Sequence, residues 1–304
     1  MEFKYSAYIP STDSFVQVKQ LKTREYIELV KYIANSDPIA LINAYDELIS
    51  ELVTEVRVSS LTRVDKFFIL LTIRAICVGP VLTMSFEDAA TKKPYTTHVE
   101  LFPIMQKIAD IEFKFKKRIK LSDDISATLR IPSSLYVESG DDLLVECINS
   151  VTINKKQHDL STFNIDEKQQ VVDGLPGVLL GDISRYINEG LEKFAEVDLF
   201  NKINPHNIKE QEKYSVNIFD TSMYSFINLC FNESLNYIRD ILYILQRKCK
   251  FSGDIIYNST FAEVRMYIDL YEEEIKQREQ AEQKAKQNQQ QSSPIGAPTQ
   301  PTSF

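Results

Sequence analysis

The sequence predicts an α+β fold in which N-terminal helices and a small antiparallel sheet precede an all-α C-terminal domain. Apolar residues recur every three or four positions over residues 23–78, alternate over much of 81–153, and regain the helical spacing beyond 160. The chain also has only eight glycines, which disfavours a tightly turned all-β fold. We therefore expect an α+β domain over residues 1–156, a helical domain over 157–285 and a disordered tail over 286–304.

Two helices are predicted in the first 52 residues, after a short strand at residues 14–21. The first begins near Thr23, because apolar residues from Tyr26 onward recur three and four positions apart. The second begins at Asp37-Pro38, since Asp is a preferred N-cap residue and Pro fits the first helical position. It carries apolar residues at helical spacing as far as Leu52.

The segment LTRVDKFFILLTIRAICVGP predicts a third helix of about 17 residues, buried on several sides. Thr62 and Asp65 have the spacing of a capping box, and Gly79 with Pro80 ends the helix. Its apolar run is too short for a bilayer, which takes about 20 apolar residues. Arg74 in its middle needs a carboxylate or carbonyl partner or must reach out of the core. We expect a structural ion pair there rather than a catalytic arginine.

Strands follow the third helix. Residues 81–86 and 95–101 predict a hairpin around a polar turn, and residues 111–121, 125–132 and 143–153 predict further strands. Residues 155–162 are polar and suit a domain boundary. The first half of the chain is therefore predicted to form helices first and an antiparallel sheet second.

The C-terminal part has the helical spacing again. Apolar and aromatic residues over 174–197 and 214–245 predict helices, and Ser252-Gly253 predicts a turn. Thr260 and Glu263 form a second capping-box pattern, which opens a final helix. From residue 286 the chain is rich in Gln, Ser and Pro without an apolar period, which predicts a disordered tail.

No motif of catalysis, cofactor binding or metal binding is found, so no catalytic, cofactor or metal residue is predicted. The four cysteines form no CxxC pair and fit reduced thiols: Cys77, Cys147, Cys230 and Cys249. The three histidines lack metal-ligand spacing: His98, His158 and His206. The carboxylate groups at 123–124, 141–142 and 272–274 suit turns and a solvated helix face. The sequence therefore predicts a protein that is not an enzyme.

The charge of the chain argues against nucleic acid as a partner, because the net charge is −8 and the pI about 5.2. One basic cluster, FKFKKRIKL at residues 113–121, has two readings. It fits a solvated strand whose lysines protect a sheet edge, and it also fits a surface for an anionic partner. A membrane partner is not expected either, since no apolar segment is long enough to span a bilayer.

Aromatic residues are abundant in the late helices, and this leaves interaction chemistry as the functional signal. Most of them are expected in the core, but their number leaves room for a partner-binding face. They are Tyr224, Phe226, Phe231, Tyr237, Tyr243, Tyr257, Phe261, Tyr267 and Tyr271. The final helix with its tail is a candidate docking arm.

The segments VKQLKTREYIELVKYI, LTRVDKFFILLTIRAICVGP and TLRIP resemble the N-terminal pattern of baseplate hub assembly proteins of T-even-type contractile-tailed phages, the gene-twenty-six-type family. The resemblance covers about residues 10–135 and rests on scaffold positions. These are Leu21, Thr23, Tyr26, Asp65, Phe67, Leu70, Arg74, Leu129, Arg130 and Pro132. The second half is also similar to a helical tail-assembly chaperone segment.

This resemblance implies a non-enzymatic role in the infected bacterium. The chain is expected to be a baseplate hub assembly factor (chaperone) or a hub-associated structural subunit, with other tail and hub proteins as partners and no cofactor. Two alternatives stay open: a structural component of the virion baseplate hub itself, and a generic cytosolic adaptor or scaffold. The expected location is the host cytoplasm or the tail baseplate of the virion, and a homo-oligomer is left open.

Overall fold

A computed structural model describes residues 4–35, 37–87, 94–110, 118–135, 140–160, 163–191, 197–198, 215–216 and 221–291. The α-helices are α1 Thr23–Asn35, α2 Pro38–Leu52, α3 Arg63–Ile73, α4 Leu101–Ala109, α5 Gly140–Cys147, α6 Ile165–Asp173, α7 Gly177–Leu191, α8 Thr221–Phe231, α9 Leu235–Arg247, α10 Gly253–Asn258 and α11 Phe261–Gln291. The strands are β1 Lys4–Ile9, β2 Ser14–Lys19, β3 Val81–Glu87, β4 Pro94–Glu100, β5 Arg118–Lys120, β6 Ile125–Leu129, β7 Ile148–Ile153, β8 Lys156–Asp159, β9 Val197–Asp198 and β10 Ser215–Val216.

The fold is mixed α and β, which confirms the predicted class. The strands pair antiparallel in small groups: β1 with β2, β3 with β4, β9 with β10, and a four-stranded sheet in the order β5-β6-β7-β8. Residues from 221 to 291 contain helices α8–α11, as the sequence predicts for the C-terminal region. The division into domains at residue 156 stays a prediction.

Helix α3 lies at the centre of the molecule. Every side chain from Arg63 to Ile73 is buried, so the helix is covered on all sides. Strand β1 and helices α2, α4 and α8 all pack against it. After Ile73 the helix continues as a π-helical turn, Arg74–Val78, and ends at Gly79. Gly79 has φ +136°, a backbone conformation that other residues rarely adopt.

The start of α3 is fixed by the predicted capping box. The Thr62 hydroxyl accepts a hydrogen bond from the backbone of Asp65 at 3.3 Å, and the Asp65 carboxylate accepts one from the backbone of Thr62 at 2.8 Å. The same carboxylate also accepts from the Thr62 hydroxyl, and from the backbone and the hydroxyl of Ser11 at 2.9 and 2.7 Å. Asp65 therefore joins the turn between β1 and β2 to the start of the central helix.

The structure corrects one predicted strand and shows a further strand directly after it. Residues 143–153 were expected as one strand, but they contain the end of α5 followed by β7. No Gly or Pro separates the two, so the apolar run gave no sign of the change. Residues 155–162, the polar stretch that suits a domain boundary, contain β8, which pairs with β7. All four β8 residues are exposed, so this edge strand lacks the apolar alternation that reveals a half-buried strand.

Further differences concern single segments. Strand β1 and helix α4 were not predicted, and Ser252-Gly253 begins the short helix α10 rather than forming a turn. The final helix extends to Gln291, so residues 286–291 are helical, and residues 292–304 of the expected tail lie outside the described residues. Of the basic cluster at 113–121, only residues 118–121 are described, with β5 at Arg118–Lys120. The two readings of that cluster therefore stay open.

Substitution Asp65→Ala is expected to lower the free energy of unfolding by about 3 kcal/mol, because it leaves half-buried backbone donors of both Ser11 and Thr62 unpaired. Urea denaturation measures this change. The matched control is Asp37→Ala, which removes one exposed N-cap bond to the backbone of Ala40 and should cost about 1 kcal/mol. Equal losses in the two variants would contradict the central role of Asp65.

Candidate interaction surface

The first three helices present one continuous face to the C-terminal part of the chain. We call it the α1–α3 face and define it by Tyr26 of α1, Tyr45 of α2, Phe67 of α3 and Arg74 of the π-helical turn. Each of these residues is at most 4% exposed. Tyr26, Phe67 and Arg74 are also among the positions that carry the family resemblance. We call helices α8–α11, which cover this face, the C-terminal helices.

Aromatic rings on the two sides meet in pairs. The ring centroids are 5.0 Å apart for Tyr26–Phe261, 5.9 Å for Tyr45–Phe231 and 6.2 Å for Phe67–Phe226. The pairs are tilted or edge-to-face, the arrangements that aromatic rings prefer. Each helix of the face therefore contributes one ring to the contact.

Hydrogen bonds cross the same contact. The Tyr45 hydroxyl donates to the Asn228 side chain at 2.7 Å. The backbone N–H and the hydroxyl of Thr23 both donate to the carbonyl of Ser259 at 2.8 Å, which joins the start of α1 to the residue between α10 and the Thr260 cap of α11. That cap is the predicted box with Glu263. The contact between the two halves is therefore polar as well as aromatic.

Arg74 is held by backbone carbonyls. Its guanidinium donates to the carbonyls of Cys230 and Gly79, and to that of Val81 at 3.4 Å. This corrects the expected ion pair, since carbonyl groups rather than a carboxylate accept these bonds. Cys230 lies in the last turn of α8, where a cation is favoured by the helix dipole. Burial lowers the pKa of the guanidinium, but arginine stays charged in proteins.

A second arginine lies beside Arg74. Arg265 of α11 forms an ion pair with Glu233, and its Cζ lies 5.1 Å from the ring centroid of Phe261 and 5.8 Å from that of Tyr237. The Tyr26 hydroxyl and the Arg265 Nε atom are buried and have no hydrogen-bond acceptor within the described residues. Burial, followed by the charge of Glu233, raises the pKa of Tyr26. The contact therefore contains two buried polar atoms that lack a hydrogen-bond partner within the described residues.

The nine late aromatic residues divide between the core and the surface, and four of them are fully buried, fewer than the majority that the sequence predicts. Tyr224, Phe226, Phe231 and Phe261 are buried, Tyr257, Tyr267 and Tyr271 are half-buried, and Tyr237 and Tyr243 are exposed at 45% and 59%. Tyr237 lies beside Arg265, so Tyr243 is the aromatic residue of this set most open to a partner. The residue types can be taken from the sequence, whereas which of them face outward depends on the packing of the helices.

Exposed apolar side chains also lie elsewhere on the described surface. The largest exposures are 80% for Val178 of α7, 69% for Phe15 of β2, 61% for Ile39 of α2, 57% for Leu270 of α11 and 55% for Phe102 of α4. On α11, Val264 and Ile268 face the body, Leu270 faces outward, and every described side chain beyond Ile275 is exposed. Helix α11 therefore leaves the body and continues alone.

Within the described residues, no three His, Cys, Asp or Glu side chains are placed to hold a metal ion together. None of the helices in that part of the chain combines the length and the apolar character that crossing a membrane requires.

Comparison with known proteins gives one match. The family model described as T4 bacteriophage base plate protein matches residues 1–219. No curated protein and no solved structure matches the chain. The matched region contains the whole α1–α3 face, and it ends just before α8 begins at Thr221.

Two buried tyrosines give a matched pair of substitutions. Tyr45→Phe removes the bond to Asn228 and should lower the free energy of unfolding by about 1–2 kcal/mol. Tyr26→Phe removes a hydroxyl without a partner and should leave stability unchanged within about 0.5 kcal/mol or raise it. Thermal or urea unfolding measures both. A larger loss for Tyr26→Phe than for Tyr45→Phe would show that an acceptor occupies the Tyr26 site.

Stability should fall at alkaline pH through Cys230. Burial raises the pKa of this thiol to about 12, whereas an unfolded cysteine titrates near 8.5. A raised folded-state pKa gives stability that is complete below the unfolded pKa and is lost as pH rises toward the folded value. Between about pH 9 and 11, Cys230 should therefore lower the free energy of unfolding by about 1.4 kcal/mol per pH unit. Cys230→Ala removes this contribution, so the free energy of unfolding of the variant should fall less steeply with pH. The half-buried Cys249, changed to Ala, is the control and should alter the slope much less.

Proposed function

The chain belongs to the family of T4 bacteriophage base plate proteins, and on this premise we propose that it helps to build the hub of a contractile phage tail. The observation that carries the proposal is the family match over residues 1–219. In this role the protein is an assembly factor or a hub-associated subunit, which acts through contacts with other tail proteins in the host cytoplasm. It has no turnover chemistry.

The described surface supports a contact function. Large apolar side chains are exposed on both halves of the chain, among them Phe15, Phe102 and Val178. Such residues supply contact area when a partner covers them. Arg74, by contrast, donates to backbone carbonyls of its own chain, which is what a structural arginine does. These observations support the proposal of a non-enzymatic protein.

The second candidate is a permanent structural component of the virion hub. The same family match supports it, because baseplate proteins include parts of the finished particle. Mass spectrometry of purified virions separates the two candidates: a structural component is present in fixed ratio to the other hub proteins, whereas an assembly factor is absent. A generic adaptor would bind a cellular protein instead, and the family match favours a tail protein.

Co-expression with the tail proteins encoded beside it should yield a stable complex by size-exclusion chromatography. Three variants, Phe15→Asp, Phe102→Asp and Val178→Asp, place a charge on an exposed apolar position, and at least one should weaken the complex by about tenfold or more. Thermal unfolding should be unchanged in all three. Lys31→Ala, which alters an exposed ion pair on α1, is the control and should bind normally. The absence of any complex with the wild-type chain would contradict the proposal.

A further inference from the structure

The family match includes the α1–α3 face but not the C-terminal helices that cover it. The face lies inside the matched region, whereas helices α8–α11 lie outside it. Without those helices, the rings of Tyr26, Tyr45 and Phe67 would lose their aromatic partners and lie at the surface. An apolar patch of this kind on a soluble protein normally marks a binding surface. The family region thus carries a surface that must be covered by something.

The contact itself resembles a separable interface more than a uniform core. Contacts between separable units are more polar than the interior of one core. Here the contact contains the buried Arg74, whose guanidinium donates to the Cys230 carbonyl, the Tyr45–Asn228 hydrogen bond, and the hydrogen bond from the Thr23 hydroxyl to the Ser259 carbonyl. The Tyr26 hydroxyl stays unpaired within the described residues, and a buried unpaired donor costs about 1–3 kcal/mol. This cost lowers the free energy needed to open the contact.

The side chains of the face define what it binds. Arg74 donates to one carbonyl in the last turn of a helix, the ring of Phe67 meets an aromatic residue in the middle of that helix, and the ring of Tyr45 meets one at its end. The Tyr45 hydroxyl needs an acceptor between the two rings. Helix α8 supplies all of these with Cys230, Phe226, Phe231 and Asn228. The matching ligand is an amphipathic helix with two aromatic residues about five positions apart.

We propose that the α1–α3 face is a helix-binding surface, that α8 occupies it within the chain, and that a helix of another tail protein replaces α8 during assembly. This inference rests on the proposed function for the identity of the partner. It requires that α8 detaches while the family region stays folded. The chain itself contains a probe for this event.

Thiol labelling under native conditions tests the detachment. Cys230 of α8 is buried against the face, so it reacts only when α8 opens. Cys77 is the matched control, because its sulfur contacts the Tyr5 hydroxyl at 3.2 Å and the Leu21 backbone at 3.3 Å, both within the family region. With the half-buried Cys249 changed to Ser, Cys230 should react at least about tenfold faster than Cys77. Equal rates would show that α8 leaves only on global unfolding, and the proposal would be wrong.

Weakening the contact between α8 and the α1–α3 face tests whether a helix of another tail protein replaces α8. Asn228→Ala removes the acceptor of the Tyr45 hydroxyl, so it should speed the labelling of Cys230 and tighten binding of the tail protein by the same factor. Leu229→Ala, on the exposed side of α8, should change neither. If the wild-type chain binds and Asn228→Ala labels faster without binding more tightly, the replacement is refuted while the proposed function stands. If neither chain binds any tail protein, the proposed function and the replacement both fail, and labelling alone decides whether α8 detaches.

Discussion

The complete burial of α3 is the constraint on which the rest of the structure depends. A helix that is buried on every side cannot rest on a single layer of protein, and fully burying each of its large apolar side chains contributes about 1.5–3 kcal/mol. The β1–β2 hairpin, α2, α4 and α8 are the elements that supply this cover. Two charged residues, one near each end of the helix, bind these covering elements. Asp65 accepts hydrogen bonds from the turn of the hairpin, and Arg74 donates to a carbonyl at the end of α8.

The same constraint connects the fold to the proposed role. The matched region contains α3 but not α8, one of the elements that cover it, and this is the basis of the proposed helix-binding surface. In this chain helices α8–α11 cover the α1–α3 face. Their contact is held by discrete polar bonds and ring pairs, each of which a helix from another protein can reproduce. Recognition through helix ends and aromatic rings needs no reacting group.

The sequence predicted the features that depend on neighbouring residues. Both capping boxes, at Thr62 and Thr260, were readable because the donor and the acceptor lie three positions apart. The hydrogen-bond partner of Arg74 could not be predicted, since the carbonyl of Cys230 lies 156 positions away in the sequence. The family could be predicted from short motifs in the first half of the chain, whereas the α1–α3 face that these segments form could not be predicted. It is formed by three helices together, and its cover comes from the opposite end of the chain.

Helix α11 has a practical consequence for anyone handling this protein. From residue 276 to Gln291 it runs for sixteen residues beyond its last half-buried position, which at 1.5 Å per residue is roughly 24 Å. A purification tag or fluorescent label fused at this end is therefore separated from the body by this helical extension. Fusions at this end leave the amino-terminal hairpin, whose turn is tied to the central helix, undisturbed.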